Sequence, residues 1–224
     1  MINVKAKACV FDAYGTLFDV HAAIARHGAA AGPDAARFSE IWRSKQLEYA
    51  WTMTLAGQYV DFWMLTERAL DYAFARVGSV DRALRSKLLE AYLRLDPFAD
   101  AAEALGRLKS QRVRLAILSN GSPRMLEAAV EASGLGGLLD AVYSVDTVRL
   151  YKPRPEVYAL VTNGLNLPAQ DIVFVSSNRW DIMGATAFGF RCVWVNRANL
   201  PDEYPERQPE RVVANLSLLP SLAL

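Results

Sequence analysis

The sequence predicts an α/β fold in which a doubly wound, Rossmann-like parallel sheet carries an inserted helical cap subdomain. Short apolar runs rich in valine, isoleucine and aromatic residues recur along the chain, and stretches of helical periodicity lie between them. This alternation stops after the first run and resumes near residue 98. We therefore expect the core domain at residues 1–19 and 98–224 and the cap at residues 20–97.

Five short runs predict the strands of the sheet, because each is too short for a helix and suits a strand that is buried on both faces. The runs are KACVFD, VRLAILSN, DAVYSVD, DIVFVSSN and RCVWVN. Between them, SPRMLEAAVEASGL and RPEVYALVTNGLNL place apolar residues at steps of three and four and end near glycine, as crossover helices do. The segment after Asn196 predicts a surface loop, a short strand and a terminal turn.

The cap is expected to consist mainly of three amphipathic helices. Their sequences are DAARFSEIWRSKQLEYAW, VDFWMLTERALDYAFARVG and DRALRSKLLEAYLRL, and Asp96-Pro97 is expected to end the last one. A stripe on the second helix is formed by Phe62, Leu65, Ala69, Ala73 and Val77. A further helix near the front is expected to contain both His21 and His27.

Composition argues against several classes of function. The 25 Lys and Arg residues balance 24 Asp and Glu residues, so no global field favours nucleic acid or a membrane surface. We see neither a secretory leader nor an apolar window of membrane-spanning length, and we expect a soluble cytoplasmic protein. Cys9 and Cys192 lie in apolar runs and are expected to be small buried side chains. With two histidines in all, a zinc site or a serine-histidine triad finds little support.

Polar residues stand at or near the ends of several predicted strands. They are Asp12 and Thr16, then Ser119 and Asn120, then Lys152, and finally Ser176, Ser177, Asn178 and Asp181. Taken singly, most of them are explained equally well as helix caps or surface residues. Because ligands collect at the carboxyl ends of parallel strands, the ordered set of an acid, a hydroxyl, a lysine and a second acid indicates one catalytic site.

The segments FDAYGTLFD, LSNGSP, YKPRPEVY and FVSSNRWD resemble, in order, the four motifs of the haloacid dehalogenase superfamily. The similarity extends to its L-2-haloacid dehalogenase branch, which WRSKQLEY in the predicted cap and the SSNxWD form of the fourth motif also resemble. The resemblance covers most of the chain. It implies metal-independent hydrolysis of (S)-2-haloalkanoic acids to (R)-2-hydroxy acids through an aspartyl ester. The implied partners are a small 2-haloacid and a halide ion, with no cofactor.

The resemblance also implies a role for each matching residue. The catalytic residues would be Asp12, Thr16, Lys152, Ser176, Asn178 and Asp181. Asp12 would be the nucleophile, kept ionised by Lys152, and Asp181 would activate the hydrolytic water. The side chains of Thr16, Ser176 and Asn178 would align the reacting carboxyl group.

A second set would bind the substrate and the leaving halide. Its members are Tyr14, Arg43, Phe62, Ser119, Asn120, Tyr158 and Trp180. Ser119 and loop N–H groups would hold the substrate carboxylate, and Arg43, Asn120 and Trp180 would hold the halide. The alternatives are an ordinary solvated arginine at position 43 and simple core packing for the aromatic residues.

Tyr14 separates this sequence from the metal-dependent phosphatases of the superfamily. It stands where those enzymes have a second acid, and SSN replaces the glycine-aspartate pair of their fourth motif. Phosphoryl transfer relies on such acids and on Mg²⁺, whereas a halide leaves without a proton. Two alternatives stay open: a phosphatase with an atypical first motif, and a non-catalytic binding protein on this fold.

Two positions depart from the pattern of the family. Residues 52–56 read TMTLA where the family tends to read like LRSLM, and Arg179 occupies a place usually held by a small residue. These departures leave substrate size more open than reaction type. The amphipathic cap helices, which contain Trp42, Trp51 and Trp63, are compatible with the homodimer that is common in the family.

Overall fold

The computed structural model describes residues 6–222 of the chain. Its strands are β1 (Ala8–Phe11), β2 (Arg114–Ser119), β3 (Ala141–Ser144), β4 (Ile172–Ser176), β5 (Arg191–Val195) and β6 (Arg211–Val213). Its α-helices are α1 (Ala22–Ala25), α2 (Gly28–Ala31), α3 (Ala35–Leu55), α4 (Phe62–Val77), α5 (Arg85–Leu93), α6 (Ala101–Ser110), α7 (Pro123–Ser133), α8 (Pro155–Leu165) and α9 (Arg179–Phe188). Short 3₁₀ helices at Arg82–Leu84, Gly136–Leu138, Val145–Thr147, Ala169–Asp171 and Leu216–Ser221 complete the described elements.

The six strands form one parallel sheet in the order β3-β2-β1-β4-β5-β6. The central strands β1 and β4 are buried along their whole length, which explains their uninterrupted apolar sequences. The chain winds to one side through β2 and β3 and to the other through β4 to β6. The doubly wound prediction is therefore confirmed, and the direction of winding reverses at β1, where ligands bind in such sheets.

Helices α1 to α5 lie between β1 and α6, and α3 and α4 pack against each other. The side chains of Phe62, Leu65, Ala69 and Ala73 are fully buried, as the stripe on α4 predicts. Asp61 starts this helix by accepting a hydrogen bond from the Trp63 backbone N–H at 2.9 Å.

The chain leaves and re-enters the core through two adjacent segments. Phe98 N donates to Leu17 O at 2.8 Å, and Asp19 N donates to Asp96 O at 2.9 Å. These paired bonds form a narrow neck between the helical region and the sheet. The neck brings the helical region over the carboxyl end of β1.

Three local predictions about the helices were wrong. The expected single helix with both histidines is broken at His27 into α1 and α2, because the glycine that follows is a weak helix former, and His21 precedes α1. Helix α3 runs on to Leu55 instead of ending at Trp51. Helix α5 ends at Leu93, before Asp96-Pro97, because Arg94 already has the non-helical angles φ −121° and ψ 55°.

Cys9 and Cys192 are free and buried, as predicted, and burial raises the pKa of both thiols. Between residues 6 and 222, no cluster of three or more His, Cys, Asp or Glu side chains could hold a metal ion. In the same part of the chain, we find no helix with the length and apolarity to cross a lipid bilayer.

Candidate active site

Asp12 follows β1 directly and lies at the centre of the site. Its backbone N–H donates to Val175 O at 2.9 Å, which continues the pairing of β1 with β4. The next residues turn sharply at Gly15, whose φ of 93° suits glycine. This turn places Thr16 Oγ1 3.0 Å from Asp12 Oδ2, so the threonine hydroxyl donates to one carboxylate oxygen.

Lys152 lies between two carboxylates in the interior of the protein. Its Nζ is 3.1 Å from Asp12 Oδ1 and 2.8 Å from Asp181 Oδ2, and its side chain is fully buried. Burial by itself would lower the pKa of Lys152, but the charges of Asp12 and Asp181 raise this pKa above its usual value. The ammonium group therefore stays charged, and its charge stabilises the ionised form of both acids.

Asp181 is held in the first turn of α9 by bonds to both of its oxygens. Oδ2 accepts from Lys152, and Oδ1 accepts from the hydroxyl group of Tyr158 at 2.8 Å. Burial raises the pKa of Asp181 to about 6, against the opposing effect of Lys152. An acid with a pKa near neutrality is suited to general base catalysis.

The loop between β4 and α9 supplies the second donor to Asp12. Asn178 Nδ2 donates to Asp12 Oδ2 at 2.9 Å and lies 3.4 Å from Tyr14 O. Ser176 Oγ accepts from the backbone N–H of Asn178 at 3.1 Å, so Ser176 positions the loop that carries the amide. The adjacent Ser177, to which no role was assigned from the sequence, joins this loop to the loop after β1. Its backbone N–H donates to Thr16 Oγ1 at 2.9 Å.

A small chamber of about 10 Å³ lies beside Asp12, with room for about one water molecule. Its lining residues are Asp12, Tyr14, Arg43, Leu47, Phe62, Ser119, Asn120 and Trp180. The structure thus brings together six of the seven residues predicted to bind substrate. Leu47 was missed, although it lies four residues after Arg43 and so on the same face of α3.

The remaining predicted substrate residue, Tyr158, lies behind Asp181. It is buried, and its hydroxyl donates to the Asp181 carboxylate. Burial, followed by the charge of Asp181, raises the pKa of Tyr158, so the phenol stays neutral and able to donate.

Arg43 connects the helical region to the catalytic loop. Its Nη2 donates to Tyr14 O at 3.1 Å, and the bond is partly buried. The arginine therefore extends from α3 toward the core at the chamber wall, which differs from the fully solvated alternative.

Tyr14 forms one wall of the chamber and stacks on Tyr92, a residue of α5 that was missed from the sequence. The ring centroids are 5.8 Å apart with an interplanar angle of 7°. A Cβ at Gly121 would lie 2.7 Å from Tyr14 Cε2, so glycine is required there for the ring to fit. Burial raises the pKa of Tyr14, and within residues 6–222 its buried hydroxyl has no hydrogen-bond partner.

Ser119 and Asn120 each use an oxygen to accept a backbone hydrogen bond. Ser119 Oγ accepts from Gly121 N at 3.0 Å, and Asn120 Oδ1 accepts from Lys152 N at 3.1 Å. The groups that these side chains have left to offer an anion are the serine O–H and the amide NH₂.

The connection between α3 and α4 is fastened to the core loop that precedes Lys152. Tyr151 N donates to Thr54 Oγ1 at 3.1 Å, and Tyr151 OH donates to Val60 O at 2.7 Å. Tyr59 OH donates to Asp146 Oδ1 at 2.5 Å. The described conformation is therefore closed over the chamber.

Comparison with known proteins identifies close relatives of this chain. A family model described as haloacid dehalogenase-like hydrolase matches residues 6–189. The chain is 47% identical over 219 residues to (S)-2-haloacid dehalogenase 1 of Pseudomonas sp. (strain CBS-3), a match that covers 97% of this chain and 96% of the relative. It is 46% identical to (S)-2-haloacid dehalogenase 4A of Burkholderia cepacia, over 97% of this chain and 95% of the relative.

Solved structures resemble the whole described fold. One is L-2-haloacid dehalogenase from Xanthobacter autotrophicus with chloropropionic acid covalently bound, at a TM-score of 0.88 and 38% identity, covering 97% of this chain and 98% of that chain. Another is a dehalogenase with an intermediate complex, at a TM-score of 0.95 and 44% identity, covering 98% of each chain.

Proposed function

The chain belongs to the haloacid dehalogenase-like hydrolases, and we propose that it hydrolyses (S)-2-haloalkanoic acids to (R)-2-hydroxy acids. The environment of Asp12 carries this proposal. Oδ2 is held by two neutral donors, from Thr16 and Asn178, while Oδ1 faces the ammonium group of Lys152. A buried carboxylate that is kept ionised, with one oxygen held in place, is suited to nucleophilic displacement. The relatives named as (S)-2-haloacid dehalogenases, and the structure with a covalently bound acid, support the same chemistry.

In the first step, Oδ1 of Asp12 attacks the carbon that carries the halogen, from the side opposite the carbon-halogen bond. A carbon-oxygen bond forms, and the halide leaves with the electron pair of the broken bond. The configuration of the carbon is inverted once, which converts the (S) substrate into an ester of the (R) alcohol. The O–H of Ser119 and nearby backbone N–H groups hold the substrate carboxylate during this displacement.

The leaving halide binds where the chamber offers positive charge and weakly polar edges. We assign this role to the guanidinium of Arg43, the amide NH₂ of Asn120 and the indole of Trp180, all of which line the chamber. Tyr14 and Phe62 are almost fully buried and exclude water, which strengthens each electrostatic contact with the halide.

In the second step, water attacks the carboxyl carbon of Asp12 and Asp181 accepts its proton. Negative charge then develops on Oδ2, where the donors from Thr16 and Asn178 already lie 3.0 and 2.9 Å away and stabilise it. The bond between the carboxyl carbon and Oδ1 breaks, Asp181 returns the proton to Oδ1, and Oδ1 leaves as the hydroxyl oxygen of the product. The second proton of the water is released from the re-formed Asp12 carboxyl group. The oxygen from water stays in Asp12, and the second step does not alter the configuration of the product.

A single-turnover reaction in ¹⁸O water tests this sequence of steps. With enzyme in excess over (S)-2-chloropropionate, we expect the label in the Asp12 carboxylate and almost none in the lactate formed. The Asp12→Asn variant should release no chloride, whereas Asp140→Asn, which changes a partly exposed carboxylate elsewhere in the core, should retain activity. Label that enters lactate directly during the first turnover contradicts an ester on Asp12.

The rival phosphatase activity is disfavoured by the groups around Asp12. Asn178 Nδ2 lies between Asp12 Oδ2 and Tyr14 O, and the Lys152 ammonium lies on Oδ1. Mg²⁺ requires oxygen ligands, so this cluster of N–H donors does not fit it. We expect chloride release from 2-chloropropionate to be unaffected by a chelator. Turnover of phosphate monoesters that depends on Mg²⁺ would favour the phosphatase, and no turnover in either assay would favour a binding protein.

We further propose the domain division expected from the sequence, with the cap at residues 20–97 and the core at 1–19 and 98–224. The paired segments of the neck support boundaries near residues 19 and 98.

A homodimer is supported by Met64 and Tyr72, which are 43% and 38% exposed on one face of α4. Light scattering should give twice the mass of one chain, and Met64→Lys should halve it. The free thiols suit a reducing compartment such as the cytoplasm.

A further inference from the structure

A second and much larger cavity lies on the far side of Trp180 from Asp12. Its volume is about 360 Å³, which falls within the range of ligand pockets. It lies between the end of α3, the segment of residues 151–154 and Tyr204. We call it the outer cavity. Trp180 lines both the outer cavity and the catalytic chamber, so this one side chain is a shared wall.

In the described conformation the catalytic chamber has room for about one water molecule, so side chains of its wall have to move for any 2-haloacid to bind. The substrate carboxylate and the attacked carbon have to stay near Ser119 and Asp12. The outer cavity adjoins the chamber at Trp180 and offers the alkyl chain a second compartment.

The outer cavity is also where the two departures from the family pattern meet. The first, residues 52–56, contributes Thr54 and Leu55 to its lining, because α3 continues to Leu55. The second, Arg179, acts through the loop that carries Tyr204, another lining residue.

Arg179 holds this loop from within the protein, where its side chain is only 3% exposed. Its Nε is 2.6 Å from Asp202 Oδ1, and its Nη2 donates to Tyr204 O at 2.6 Å and to Arg207 O at 2.9 Å. The guanidinium also lies 5.4 Å from the centroid of the Tyr204 ring. A small residue at position 179 would leave the loop without these contacts. Arg179 therefore fixes the position of Tyr204 at the edge of the outer cavity.

We propose that the outer cavity receives the alkyl chain of 2-haloalkanoic acids longer than 2-halopropionate, with the chain passing along the Trp180 ring, which stays in place to bind the halide. This inference rests on the proposed function and names its substrate class. The lining is largely hydrocarbon and aromatic, from Trp51, Leu55, Pro153, Trp180, Met183 and Tyr204. Of the two charged lining residues, Lys152 is paired with Asp12 and Asp181, and Arg154 is paired with Glu156 at 2.6 Å, so neither demands an anion. The occupant that fits such a lining is an uncharged alkyl chain.

Chain length should then raise the specificity constant. Each methylene that leaves water for the outer cavity should raise kcat/KM about fourfold, from a transfer free energy of about 0.8 kcal/mol converted at 1.36 kcal/mol per tenfold. The substrates are the (S) enantiomers of 2-chloropropionate, 2-chlorobutyrate and 2-chlorohexanoate, and the measurement is initial chloride release.

Leu55→Trp tests the proposal because Leu55 is 87% exposed and tolerates a larger side chain that covers the cavity. We expect kcat/KM for 2-chlorohexanoate to fall by about tenfold or more, within the range that one altered apolar contact produces. That for 2-chloropropionate should stay within about twofold. The matched control is Leu218→Trp, the same exchange at a leucine that is 46% exposed on the C-terminal 3₁₀ helix, and it should change neither value.

Tyr204→Ala provides a second variant, since Arg179 holds residue 204 through its backbone carbonyl and the loop keeps that anchor. Removing the tyrosine ring should reduce the rise of kcat/KM with the chain length of the acid. An equal loss for all three acids in Leu55→Trp would identify the outer cavity as an entrance and overturn the proposal. So would an unchanged chain-length profile in both variants. Absence of chloride release from 2-chloropropionate in the wild type would overturn the proposed function as well, which distinguishes the two failures.

Discussion

Replacing Lys152 with methionine removes the ammonium group that lies between Asp12 and Asp181. The three side chains are buried, with the two ion-pair distances at 3.1 and 2.8 Å. Methionine keeps much of the volume but leaves two carboxylates facing each other without a cation. Removing one partner of a buried ion pair generally costs about 3–5 kcal/mol of the free energy of unfolding.

Protonation of one carboxyl group sets an upper limit on this loss of unfolding free energy and makes the loss depend on pH. At pH 7, placing a proton on a carboxyl group whose ordinary pKa is about 4 costs about 4 kcal/mol, because each pH unit contributes about 1.36 kcal/mol. Lys152 lowers the pKa of Asp181, so removing the ammonium group raises this pKa further above its unfolded value. A group whose pKa is higher in the folded than in the unfolded protein stabilises the folded state at low pH. This stabilisation is lost as pH rises through the folded pKa.

The assay is urea unfolding of the wild type and Lys152→Met at each pH unit from 5 to 8. We expect the free-energy difference between them to be about 4 kcal/mol at pH 7 and to shrink by about 1.36 kcal/mol per unit as pH falls to about 6. Below that pH the difference should level off, because Asp181 of the wild type takes up a proton as well. The variant should also lose chloride release, because Oδ1 of Asp12, the attacking oxygen, loses the ammonium group that holds it. Lys45→Met removes an ammonium group from a surface pair with Glu48 and should show no such pH dependence. A loss of equal size at pH 5 and pH 8 would refute the reasoning, since it would trace the effect to packing.

The remaining predictions concern Asp181. Asp181→Asn should slow hydrolysis of the ester by about 10² to 10⁴ while leaving its formation intact, so quenched-flow chloride release should show one equivalent and then stall. Asp171→Asn, at the opposite end of β4, serves as its control and should turn over normally. In the wild type, the single-turnover rate of ester hydrolysis should fall at acid pH, because the base must be ionised and burial raises its pKa. The inflection should lie below about 6, because the ester removes the Asp12 charge that also raises the pKa of Asp181. Tyr158→Phe removes the donor to Oδ1 and should move that inflection to higher pH, since the ionised form loses a hydrogen bond.

Local pattern was sufficient to predict the sheet and the strand-end half of the site. Runs of residues buried on both faces indicate parallel strands, and parallel strands bring their carboxyl ends to one edge. Asp12, Ser119, Lys152 and Asp181 could therefore be placed together before their contacts were known. The resemblance to the superfamily then attached a chemistry to that set, and Tyr14 distinguished its branch.

Contacts between residues far apart in the chain could not be predicted from local sequence patterns. The stacking of Tyr92 on Tyr14 joins α5 to the loop after β1, and no period in either segment encodes it. The position of Tyr158 behind Asp181 depends on how α8 packs against α9.

The sequence alone determined the chain order of the catalytic groups and the strands that carry them, because backbone periodicity and side-chain chemistry are local properties. Tertiary structure decided three further properties. These are the burial that raises the pKa of Asp181 to about 6, the bond from Arg43 to the backbone of Tyr14, and the meeting of Leu55 and the Tyr204 loop, which Arg179 holds, at one cavity. Each of them depends on the distances between elements, and those distances are set only when the helical region packs on the sheet.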